Sequence, residues 1–152
     1  MSPQSLASTL NDLIDTSKDG DEGFRMAADE TKNAELQAIF IRRSQDCASA
    51  ATDLHNLVKG LGCKPETAGS ATGAMDRGWV DLKAAASSRS DLAILEECER
   101  GEDVAKERYR KALEEESLPE DIRTVVQRQY DGVVRNHDQI RSLRDRFGAR
   151  AS

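Results

Sequence analysis

The chain has 152 residues, 38% of them hydrophobic and 33% charged, which suits one domain over residues 1–152 with a sizeable core. Its 28 acidic residues are interspersed with 22 Lys and Arg for a net charge of −6. No basic patch with stacking aromatics stands out, so a nucleic-acid binder is not expected. No apolar run reaches a membrane span and no charged-then-apolar leader is present, so neither a membrane protein nor a secreted one is expected.

The composition, rich in Ala, Leu, Glu, Arg and Asp with 4% aromatics and three prolines, favours helices over strands. In "SLASTLNDLIDTSKDGDEGFRMAADET", Leu6, Leu10, Leu13, Ser17, Gly20, Phe24 and Ala27 recur at helical spacing. Gly20 and Gly23 either kink this helix or admit a close neighbour. The next segment, "KNAELQAIFIRRSQDCASAATDLHNLVKGLG", carries Leu36, Ile39, Phe40, Arg43, Cys47, Ala50, Leu54, Leu57 and Val58 on one stripe. Gly60 and Gly62 suit its end.

"CKPETAGSATG" reads as loop, and "AMDRGWVDLKAAAS" as a short helix with Met75, Trp79 and Leu82 on one side. Ser90 or Asp91 can cap a third long helix, from about Leu92 to Glu116. A fourth follows in "SLPEDIRTVVQRQYDGVVRNHDQIRSLRDRF", with Ser117 suited to its N-cap and Pro119 to its first turn. Its arginines lie near the C-terminal end, where they favour the helix dipole. The expected architecture is all-α: a ferritin-like four-helix bundle with a long crossover over about 61–90 that contains a short helix. Short loops make helices one and two, and three and four, antiparallel. A crossover that traverses the bundle lets helices two and three run parallel.

Several polar residues fall on the buried stripes. Glu99 and Glu102 share spacing with Leu95 and Tyr109, His137 with Val133 and Ile140, and Arg43 with Phe40 and Cys47. Glu22 and Glu30 flank the stripe of helix one. Buried charges are costly unless paired or bound to metal. A di-iron centre of the ferritin type needs Glu-x-x-His on two helices. Here Val134 stands three residues before His137 and Thr52 three before His55, so neither motif is present. A single Zn, Mn or Fe ion on Glu99, Glu102 and His137, with Glu22 as a further ligand, is one solution. The other is an ion-pair network: Arg43 grips Glu99 or Glu102 in a bidentate fork and His137 completes the hydrogen bonds. This structural polar core is the favoured reading.

Cys47 and Cys98 read as small core residues. Cys63 lies in a loop and is the most exposed to chemistry. The three spacings match neither a zinc ribbon nor Cys-x-x-Cys, so a reducing, cytoplasmic home is expected. No Ser/His/Asp set, phosphate loop or dinucleotide fingerprint is present.

The stretches "LNDLIDTSKDGDEGFRMAAD", "GAMDRGWVDLKAA", "ECERGED" and "RQYDGVVRNHDQIRSLRD" resemble a bacterial family of ferritin-like four-helix bundles known only as a domain of unknown function. The resemblance spans roughly residues 5 to 146. It implies an up-down bundle with a crossover and a cytoplasmic, stress-associated role. It brings neither an activity nor a ligand set. The expected function is that of a non-enzymatic helical-bundle protein without a cofactor, associating with copies of itself. The alternative is a divalent-metal or redox protein. Nucleic-acid binding through the C-terminal arginines fits the acidic total least.

Overall fold

The computed structural model of the chain describes residues 1–63, 79 and 90–151. Four helices and no strand occur among them: α1 (Pro3–Glu30), α2 (Ala34–Gly60), α3 (Asp91–Leu113) and α4 (Glu120–Ala151). None is long and apolar enough to cross a membrane.

Local chemistry sets the helix ends. The Ser2, Asn33 and Ser90 side chains accept the backbone N–H groups of Ser5, Leu36 and Ala93, each satisfying a donor that the first turn leaves free. At the end of α2, Gly62 turns left-handed with φ 76°. There the Gly62 N–H donates to the Lys59 carbonyl and the Cys63 N–H to that of Val58. This paired closure needs a residue tolerant of positive φ. Ser117 does not cap α4. Its hydroxyl donates to Glu115 at 2.7 Å, and the Pro119 carbonyl receives the first helical bond, from Arg123. Proline can occupy that position because it has no N–H to leave unsatisfied.

The apolar stripes assemble into two core blocks. One joins Phe24 and Ala27 of α1, Leu36 and Phe40 of α2, Ile94 and Leu95 of α3, and Ile140 and Leu143 of α4. The other joins Leu6 and Leu10, Leu54 and Val58, Tyr109 and Ala112, and Ile122 and Val126. Each block therefore takes opposite ends of α1 and α2, and opposite ends of α3 and α4. It takes the same end of α2 and α3, which consequently run parallel. The order is up, down, down, up. A Thr31 to Asp91 hydrogen bond of 2.6 Å ties the end of α1 to the start of α3. Cys63, where α2 leaves off, packs on the opposite block. α3 therefore starts at the end of the bundle opposite to the one where α2 stops.

The short helix expected in that segment, with Met75 and Leu82, lies outside the described residues. Trp79 is described, and it explains two glycines. Its indole packs edge-on against Phe24 at 5.1 Å between ring centroids. A Cβ on Gly23 would come within 2.5 Å of the indole, and one on Gly101 closer still. α1 and α3 thus each contribute a bare backbone to a notch that the indole fills. Gly20 serves a close approach too: its Cβ would lie 2.8 Å from the Cys47 sulfur. α1 packs along α2 and α3 along α4, whereas α2 and α4 barely meet. A cleft of about 740 Å³ opens between those last two and reaches the interior.

Candidate functional site

Between the two apolar blocks lies a polar waist, and the floor of the cleft belongs to it. Arg43 on α2 points inward there and meets Glu102 on α3. Nε lies 3.2 Å from Oε1 and Nη2 lies 3.5 Å from Oε2, a side-on fork. The two side chains are only 11% and 2% exposed. Burial alone would lower the Arg43 pKa, but the Glu102 charge, with Cys47, the Glu102 hydrogen bond and Asp46, raises it, so the guanidinium stays protonated. Burial holds the Glu102 carboxyl above its ordinary value, against the opposing pull of Arg43, then of His137 and Asn136. The Asn136 amide faces this carboxylate, but its Nδ2 makes no hydrogen bond of good geometry.

A second polar chain crosses all four helices beside this pair. Ser17 on α1 and Tyr109 on α3 share a hydrogen bond of 3.1 Å. The Tyr109 hydroxyl donates to Gln129 on α4 at 2.8 Å, and the Gln129 amide donates to the Ala50 carbonyl on α2. Burial raises the pKa of Tyr109, which holds its proton as the donor. The Cys47 thiol is pushed up to about 12 by burial, and Cys98 is raised well above its ordinary value for the same reason. Since the thiolate is the reactive form, neither is an activated nucleophile. All three cysteines are free.

Glu99 takes a different route. Its carboxylate meets Arg144 of α4, with Nη1 2.6 Å from Oε2. The angle between side chains along a helix explains the divergence. Four residues bring a side chain almost back to the same line, whereas three leave it displaced to one side. Glu99 and Asp103 therefore face α4 together, and Glu102 turns toward α2. His137 completes the α4-facing group: Nε2 lies 2.5 Å from the Asp103 carboxylate and Nδ1 3.4 Å from Asp138. His137 is buried, while the Asp103 side chain is 58% exposed.

The structure thus divides the residues singled out from the sequence. Arg43 and Glu102 meet. His137 directs its ring nitrogens to Asp103 and Asp138 rather than completing the hydrogen bonds of that pair. Of the set Glu99, Glu102, His137 and Glu22, Glu99 and His137 come together with Asp103, the ligand atoms of the three lying within 4.8 Å of one another, while Glu102 is directed to Arg43. Glu22 stands apart from them. It is exposed on α1, because Gly20, Gly23, Phe24 and Ala27 define the inward face and Glu22 points away from it. The buried carboxylate of α1 is Asp19 instead. Glu30 is exposed as well, and His55 is half-buried near the end of α2.

Other participants are absent from the sequence reading. Asp103 stands one helical repeat after Glu99, and Arg144 two turns after His137, spacings that could have signalled both. Glu97 is buried too and pairs with Arg100 at 2.5 Å. The C-terminal arginines do more than meet a helix dipole: Arg144 holds Glu99, and Arg146 holds Glu35 of α2 at 2.9 Å.

The family described as a domain of unknown function (DUF2383) matches residues 5–115. The chain belongs to this family. The match takes in α1, α2 and α3 and stops before α4, so it contains Arg43, Glu99, Glu102 and Asp103 but not His137 or Arg144. No curated protein matches the chain.

Proposed function

We propose that this member of the DUF2383 family is a ferritin-like bundle without a dinuclear metal centre, acting as a non-enzymatic helical protein in a reducing, cytoplasmic setting. The observation that carries the proposal is the Arg43–Glu102 fork. A carboxylate at the waist of a four-helix bundle is the kind of ligand that a di-iron site uses. Here a guanidinium from the same chain supplies the positive charge instead. The parallel course of α2 and α3 supports the ferritin-like reading. Three free cysteines, two of them inert through burial, fit a reducing compartment. Exposed Met26 and Ile41 offer apolar surface for association with further copies.

Such a fork fixes the register of α2 against α3, because either charge left alone in the interior is far costlier than the pair. The test is metal-dependent activity at the waist. Wild-type protein incubated with Fe(II) and oxygen is expected to oxidise iron no faster than Glu102→Gln protein. Iron oxidation by the wild type that disappears in Glu102→Gln, with the helical content intact, would overturn the proposal.

A further inference from the structure

We infer that the seam between α3 and α4 is a mononuclear site for a divalent transition-metal ion, with Glu99, Asp103 and His137 as ligands and zinc the ion it holds best. The inference is independent of the waist, because Glu102 and Arg43 take no part in it.

The site stands on three observations. The donor atoms are already gathered: two carboxylates one helical repeat apart on α3 and an imidazole from α4 lie within 4.8 Å of one another. Zinc draws such ligands in to about 2.0–2.2 Å, a closure that side-chain rotation can supply. The imidazole is oriented for the task. Nδ1 lies 3.4 Å from the Asp138 carboxylate while Nε2 points at Asp103. A carboxylate behind a histidine ring is the arrangement that commonly fixes the free nitrogen toward a metal. Charge favours a cation as well. Glu99, Asp103, Asp138 and Asp145 surround the seam, and Arg144 is the guanidinium that reaches it.

Arg144 is the competitor. It is 35% exposed and has a second partner in Asp145 at 3.1 Å, so it can release Glu99 to an arriving ion. Exposure of Asp103 leaves the remaining coordination positions to water. One imidazole with two carboxylates suits zinc, and manganese stands lower in the affinity order of divalent ions.

The experiment is calorimetric titration of the full chain, purified without a metal-binding tag, with Zn²⁺ and with Mn²⁺. The expected result is one Zn²⁺ per chain, bound more tightly than Mn²⁺. Asp103→Asn alters an exposed side chain and should weaken Zn²⁺ binding at least about tenfold, as the loss of even a supporting residue does. Arg144→Gln should strengthen it, and His55→Gln should leave it unchanged. Absence of Zn²⁺ binding to the wild type would overturn the inference. So would equal affinity in Asp103→Asn, or Arg144→Gln binding no tighter than wild type.

Discussion

Glu99 and Glu102 stand three residues apart on α3 and both are buried, yet one is met by a cation at the rim and the other by a cation in the interior. Glu102 is gripped by a cation that is itself only 11% exposed, within residues that the family match covers. Glu99 is met by a partly exposed arginine that also serves Asp145, from a helix beyond that match. The lesson concerns the partner more than the acid. A carboxylate whose cation cannot leave becomes part of the framework. One whose cation can swing away stays open to exchange.

The largest test of this contrast removes the buried cation. Arg43→Met should cost about 3–5 kcal/mol in urea unfolding, the usual penalty for stranding an interior charge. Adding Glu102→Leu to it should recover most of that loss, because an apolar pair of similar volume needs no compensation. An unchanged midpoint for Arg43→Met would erase the distinction between the two acids.

Next comes the backbone between them. Gly101→Ala should cost about 1–3 kcal/mol, since the added methyl collides with the Trp79 indole and overpacking carries that penalty. A red shift of the single tryptophan's emission should accompany it. Gly132→Ala, on α4, is the control: among the described residues its methyl would meet only the Arg135 guanidinium, at 3.8 Å. There the gain in helix propensity should add up to about 1 kcal/mol.

A smaller effect appears with pH. Burial raises the Glu102 pKa above the ordinary 4.5, so the folded chain keeps a proton that the unfolded chain has released. The stability linked to that proton is fully present below 4.5 and is lost as pH rises through the folded value. The unfolding free energy of the wild type relative to Glu102→Gln should therefore decline as pH climbs from 4.5. A rise instead would mean that Arg43 outweighs burial.

The smallest effect belongs to the rim. Arg144→Gln should lower the melting temperature only slightly, far less than Arg43→Met, and the difference should fade in about 1 M salt. A loss comparable with that of Arg43→Met would show that Glu99 is locked as firmly as Glu102.

Much of the bundle was legible in the sequence because a helix writes its buried face every three to four residues. The apolar stripes and the parallel course of α2 and α3 follow from that period and from the length of the crossover. Arg43, Glu102 and His137 were visible as polar positions on apolar stripes. Their partners were harder to read. The period gives the angle of a side chain about its own helix, but which neighbour occupies that angle depends on tertiary packing. Asp103 and Arg144 went unseen for this reason. Glu22, read as flanking the apolar stripe of α1, turns nearly to the opposite side of that helix. Ser117 has the right chemistry for a cap but stands two residues too early.

The order of the helices also decides how the molecule bears load. α1 starts at the Leu6 end of the bundle and α4 finishes at the Leu143 end. Tension applied between Pro3 and Ala151 therefore runs along the common axis. The rods must slide past one another, stressing the Trp79 plug and the transverse polar bonds together, where a bundle with both ends on one side could be unzipped helix by helix.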